Sequence, residues 1–216
     1  FSFNKKKKIK VFTKKIKIYK NWKYLISDKK IDSIIISSPP KTHKKIIKFA
    51  IKKNKNIFCE KPVTTSLKDI SLISEMTSKK HIVKMVNYEF SNIEAFQKFK
   101  RNYLSKIKIK RININWFLKI KKNKRSSWKD NHSLGGGIYF NYICHVLYYL
   151  ENLFGKITFL ESSVSTSKKN KNFKFNFLLE KKNINIILNF KIINNKKSNS
   201  FHRINIYSNK GNYVLE

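Results

Sequence analysis

The stretch "IDSIIISSPPKTHKKIIKFAIKKNKNIFCEKP", Ile31 to Pro62, constrains the fold more than any other part of the chain. Its first eight residues form a β-branched run short enough for a buried strand, ended by Pro39 and Pro40, which cannot donate to a ladder. "THKKIIKFAIKKNK" (42–55) then puts Ile46, Ile47, Ala50 and Ile51 on one helical face, with Thr42 placed to cap it. "NIFCE" (56–60) reads as a second strand. Strand, helix and strand in such close succession make a crossover unit, and crossover units build parallel sheets.

The pattern continues through "SLKDISLISEMTSKK" (66–80), a helix with Ser66 and Asp69 as a short-armed capping box and Leu67, Ile70, Leu72 and Ile73 for packing. "HIVKMVNY" (81–88) supplies a third strand. Beyond Phe90 the periodicity changes. A helix covers Asn92 to Tyr103, and "IKIKRININWFLKI" (107–120) alternates strictly, with Ile112, Ile114, Trp116, Leu118 and Ile120 on one face. Alternation recurs in "ITFLESSVS", "NFKFNFLLE", "NINIILNFKI", "RINIYS" and "NYVLE", which predicts an open, mainly antiparallel sheet with one wet face. Between its first two strands lies "LGGGIYFNYICHVLYYLENLFG" (134–155), a glycine turn and a helix ending near Gly155. The fold class is α/β: a parallel-sheet domain over residues 1–88, then an α+β domain over 89–216.

The formal charge is +37, from 49 basic and 12 acidic residues. Such an excess ordinarily points to a polyanion, because clustered cations release counterions from nucleic acid. Only Arg101, Arg111, Arg125 and Arg203 are arginine, however, although its planar fork is the favoured reader of bases and phosphates. Alanine occurs only at positions 50 and 95, whereas Ile, Asn, Phe, Tyr and Lys, whose codons begin with A or T pairs, abound. An AT-rich coding background accounts for much of this bias but not for the shortage of acid. No helix-turn-helix, zinc-finger or aromatic RNA-binding motif occurs, so no specific nucleic acid is expected and that reading rests on charge alone. No apolar run approaches the roughly 20 residues of a membrane span, no signal segment opens the chain, and a cytoplasmic location without membrane attachment is expected. Cys59 and Cys144 have neither metal-ligand nor disulfide-framework spacing; no metal site is expected, and both thiols should be reduced and largely buried.

Ligands of open parallel sheets bind beyond the carboxyl ends of the strands, where "SSPPKTH" and "CEKP" both fall. Their order, followed later by "LGGGIYFNYICH", resembles the glucose-fructose oxidoreductase and inositol dehydrogenase (Gfo/Idh/MocA) family from about Tyr19 to Glu216. The resemblance implies a Rossmann domain followed by a substrate and oligomerisation domain, NAD or NADP as cofactor, a sugar or polyol substrate, and a homo-oligomer for the full-length protein. It matches Lys61 to the family's lysine near nicotinamide and substrate, and Asn141 and His145 to the pair that follows the glycines. Ser38, Pro39, His43, Glu60, Lys61 and Pro62 become the cofactor-side residues, with a cis Lys61–Pro62 bond expected. Many relatives carry Asp where Asn141 stands.

The chemistry is coherent with those residue types. Hydride loss from a secondary alcohol requires its hydroxyl proton to leave, and an imidazole such as His145 can accept it. Lys61 could stabilise the developing alkoxide, and Asn141 could orient partners without adding charge. As an isolated motif, His145 also fits a core histidine. His81, His132 and His202 read as surface or loop residues, Trp128 as either a substrate loop or a packing anchor, and Lys121 to Ser133 as a lid suited by its lysines and Arg125 to anionic substrates. The register Gly135-x-Gly137-x-x-Phe140 fails the dinucleotide fingerprint, and Gly155 and Gly211 are isolated and late. The expectation is therefore a stretch lacking the family's first strand-helix-strand unit and part of its last sheet, inactive by itself. An inactive remnant and a non-catalytic ligand sensor stay open as alternatives.

Overall fold

The computed structural model describes residues 17–119, 128–167, 170–193 and 199–216. It divides into two compact units, one formed by residues 1–87 with 128–140, the other by 88–127 with 141–216. The segment leading into the glycine turn groups with the first unit.

In the first unit, β1 (Ser33–Ile36), β2 (Asn56–Glu60) and β3 (Lys84–Asn87) form a parallel sheet in that order. Helix α1 (Trp22–Ser27) precedes it, α2 (Pro40–Lys52) links β1 to β2, and α3 (Leu67–Ser78) links β2 to β3. Ile46, Ile47, Ala50 and Ile51 of α2 bury against Ile34, Ile36, Ile57 and Cys59, the helical period of one element meeting the two-residue period of the others. Each such aliphatic side chain contributes about 1.5–3 kcal/mol on burial.

Three local expectations are corrected. Helix α2 starts at Pro40, at a position where the missing N–H would have no helical partner anyway. Thr42 therefore lies inside the first turn, its hydroxyl donating to the Pro39 carbonyl at 2.8 Å and lying 2.5 Å from Ser38 Oγ. Ser66 occupies the cap position of α3 but makes no side-chain capping bond, and Asp69 pairs instead with Lys44 of α2 at 2.5 Å. Leu67 is 87% exposed, while Ile73 and Met76 pack on the core, because only that side of α3 faces α2 and the sheet. Ile35, Phe58 and Met85 align in one cross-strand row on the opposite face of the sheet, and Ile35 is 76% exposed. Parallel strands ordinarily bury both faces; among the described residues no layer covers this one.

The second unit contains α4 (Glu94–Asn102), β4 (Ile109–Lys119), α5 (Cys144–Phe154), β5 (Ile157–Thr166), β6 (Asn170–Leu179), β7 (Ile184–Ile193), β8 (Phe201–Ser208) and β9 (Gly211–Leu215). Its six strands run in the order β5-β6-β7-β4-β8-β9, antiparallel except for the β4–β7 pair. Ile112, Ile114, Trp116, Ile186, Leu188, Phe175, Phe177, Ile204 and Ile206 form the buried face. Helices α4 and α5 cover it through Phe96, Phe99, Tyr149 and Leu153. The other face carries Asn113, Asn115, Asn189, Asn205, Lys174 and Lys191, with Asn189 Nδ2 donating to Asn115 Oδ1 at 3.0 Å. The expected wet face is present. Ile120, the last residue of the alternating run, lies outside the described residues, as do residues 121–127 of the expected lid.

Candidate functional site

Cys59 to Pro62 close β2 and carry the first cluster. The Lys61–Pro62 peptide is cis, as expected. Glu60 is held by its register partner on β3, Asn87, whose Nδ2 donates to Oε1 at 2.7 Å. Lys61 is half-buried, and its Nζ donates to the Phe140 carbonyl at 3.4 Å. Cys59 is buried, and desolvation first, then the neighbouring Glu60 charge, pushes its thiol up to about 12. It is therefore a packing group, since the nucleophile is the thiolate.

His43 is completely enclosed. Its Nδ1 lies 2.9 Å from the Pro62 carbonyl and its Nε2 2.6 Å from the Ser38 carbonyl. The ring therefore ties the loop after β1 to the loop after β2, and any influence on a bound dinucleotide would pass through Ser38, Pro39 and Pro62.

The three glycines belong to this unit and are required by close packing. A Cβ on Gly135, whose φ is +85°, would lie 2.7 Å from Pro40 Cβ and 2.8 Å from Thr65 Cγ2. One on Gly136 would lie 2.5 Å from the Lys129 carbonyl oxygen and closer still to that of Trp128. The triple glycine thus seats the turn on β-strand loops and on the 128–130 turn. Trp128 lies at that seat, half-buried.

In the second unit, Asn141 lies in a π-helical turn, Tyr139–Ile143, that runs directly into α5. Such wide turns recur at functional sites. His145, the second residue of α5, is 4% exposed and packed by Phe90 at 4.6 Å and Tyr88 at 6.0 Å between ring centroids. Tyr88 stacks on Tyr148 at 4.2 Å, and burial, with smaller effects from Cys144 and Tyr148, pushes its phenol up to about 12.

Sequence reasoning misplaced His202 and overlooked its partner. Instead of lying on the surface, His202 sits half-buried in β8 against Trp116, its Nε2 2.9 Å from the hydroxyl of the fully buried Tyr149. Burial lowers its pKa to about 4. The signal was its position two residues before Ile204, on the inner-face period of β8. Asn87 and the Phe140 carbonyl were likewise missed, the former visible only through register and the latter only through folding. Among the described residues, no three His, Cys, Asp or Glu side chains are grouped to hold a metal.

The fold defines an α/β protein with a parallel-sheet unit and a mixed-sheet unit. Residues 3–88 match the model of the oxidoreductase family with an NAD-binding Rossmann fold, GFO_IDH_MocA. Over those residues the chain is similar to members of the Gfo/Idh/MocA family. It is 23% identical over 158 residues to an uncharacterized Synechocystis oxidoreductase, covering 69% of this chain and 41% of the relative. It is 30% identical over 84 residues to myo-inositol 2-dehydrogenase of Thermotoga maritima, covering 39% and 25%. Levoglucosan dehydrogenase in complex with NADH and L-sorbose superposes with a TM-score of 0.77 at 20% identity, over 91% of this chain and 57% of that one. The chain thus spans well under two thirds of the length of these relatives.

The cofactor implied by the family fits the described residues in part. Ser38, Pro39, Glu60, Lys61 and Pro62, at the ends of β1 and β2, would be the residues to face a nicotinamide. The pyrophosphate finds no glycine turn at a helix start among them, because Gly135, Gly136 and Gly137 are occupied by packing and Gly155 and Gly211 follow later elements.

Proposed function

We propose that the protein carrying this sequence transfers a hydride between a nicotinamide cofactor, NAD or NADP, and a secondary hydroxyl of a sugar, cyclitol or sugar nucleotide. The observation that supports it most is the Lys61 turn: a single ammonium on a rigid strand end, with Glu60 and Pro62 fixed by Asn87 and His43 on either side. A bound nicotinamide would supply the hydride acceptor. Lys61 Nζ would donate to the substrate oxygen as negative charge develops there, and His145 would take the hydroxyl proton. Asn141 would orient a partner while remaining neutral.

In the protein that carries this sequence, Lys61→Ala and His145→Ala should each lower kcat by about 100-fold or more while changing the dinucleotide Kd little. Stopped-assay turnover and fluorescence titration of the dinucleotide check this, and near-normal turnover in either variant removes that residue from the mechanism. Asn141→Asp should be tolerated. Saturable sugar binding without turnover on any dinucleotide would instead establish a ligand-sensing member.

A further inference from the structure

We propose that Phe90 is a positioning residue for His145: its ring, held by three elements of the second unit, fixes the plane in which the imidazole presents its proton-accepting nitrogen. The inference rests on the assignment of His145 as the base in the hydride-transfer reading. An imidazole nitrogen accepts a proton along its lone pair, in the plane of the ring, whereas the torsion that turns that ring is soft and roughly two-fold. A histidine that moves a proton therefore needs its plane set by its surroundings. Phe90 lies against the His145 ring at 4.6 Å between centroids with the planes 43° apart, and Tyr88 approaches it at 6.0 Å and 87°. A phenyl ring neither gives nor takes a proton, so it sets the plane without competing for the one transferred.

Its own backbone gives Phe90 little rigidity. The residue sits half-buried in the 3₁₀ turn Glu89–Asn92, a short connection between β3 and α4. What holds the ring is the inner side of the second unit. Trp116 of β4 stands 5.6 Å from its centroid, His202 of β8 5.9 Å and Tyr149 of α5 6.5 Å. Trp116 is 7% exposed and Tyr149 fully buried, so both rings are themselves fixed by packing. His202 meets Phe90 at 83°, and its Nε2 is tied to the Tyr149 hydroxyl at 2.9 Å. The Tyr149–His202 pair, which no proton step uses, thereby acquires a part as the brace behind Phe90. Sheet, helix and turn converge on one phenyl, and that phenyl on the imidazole.

The test measures turnover of myo-inositol with NAD by the protein that carries this sequence. Phe90→Leu should lower kcat by about 10-fold while KM moves less than about 2-fold, and Phe90→Tyr, which keeps the ring, should retain most of kcat. In a His145→Ala background, Phe90→Leu should lower the rate no further, because nothing is left to position. A normal kcat in Phe90→Leu, or an equal slowing with and without His145, would overturn the proposal. A readout free of turnover separates it from the reading on which it rests. The Hε1 and Hδ2 resonances of His145 should lie at ring-current-shifted positions in the unmodified protein and move toward ordinary imidazole values in Phe90→Leu; unmoved resonances would also overturn it. Resonances that move as expected, beside normal turnover in His145→Ala, would leave Phe90 as the group that sets the ring and refute only the proton-transfer role of His145. If Phe90→Leu does not fold, Phe90→Met, which fills the space without a flat face, replaces it in each measurement.

Discussion

His202 shows how one half-buried side chain makes stability depend on pH. Its folded pKa of about 4 lies below the ordinary 6.5, so the unfolded chain binds the proton more readily. Its contribution is complete above about pH 6.5 and is lost as pH falls toward 4, on the order of 3 kcal/mol in all. Thermal unfolding of the unmodified chain should therefore fall over that interval more steeply than that of His202→Gln, and parallel curves would contradict the assignment. Tyr149→Phe removes the hydroxyl hydrogen-bonded to His202 Nε2 and should cost about 1–3 kcal/mol by urea titration. His43 acts by tying, not by touching: His43→Phe keeps the volume but removes the ring N–H that faces an enclosed backbone carbonyl, and should cost a similar ~1–3 kcal/mol.

At the scale of elements, the glycine turn is the most demanding. Gly136→Ala drives a methyl group into the carbonyls of Trp128 and Lys129, which are backbone and cannot rotate away. It should loosen the 128–140 segment from the first unit, read as faster amide exchange at Gly137, whose N–H donates to Lys129 at 2.7 Å. The three glycines themselves were legible by spacing, but their reason was not, since it depends on Pro40 and Thr65, distant in sequence, and on how the backbone of Trp128 and Lys129 turns back. The same divide runs through the fold. Periodicity located every strand, because Ile112, Ile114 and Trp116 must share a face whatever their neighbours are. It could not place Leu67, whose position matches a packing residue while its side of α3 meets solvent. Nor could it distinguish a capping carboxylate at Asp69 from one that salt-bridges to Lys44 on another helix. Lys61 stood out because a strand end fixes its backbone locally; His43 did not reveal its clamp, which needs Ser38 and Pro62 brought together.

For the whole molecule, net charge works against compactness. With 49 basic residues against 12 acidic, repulsion exceeds what the ion pairs Lys44–Asp69, Lys98–Glu94 and Lys156–Glu180 can offset at exposed sites. Added sodium chloride should therefore raise the unfolding midpoint between low and moderate ionic strength, as the Debye length shrinks from about 30 Å to about 10 Å. A midpoint that falls with salt would show that ion pairs outweigh the repulsion.

The strand order also dictates when things happen during synthesis. β6–β7 and β8–β9 are local hairpins that close over short loops, but β4 lies between β7 and β8, both made later. Asn115 meets Asn189 across 74 residues. As the ribosome proceeds from the amino end, Ile112, Ile114 and Trp116 emerge early and wait unpaired until the second hairpin is complete. Closing so distant a contact is slow, so insertion of β4 is the expected last step of folding in this unit, and the interval before it is when the nascent chain is most open to capture by chaperones.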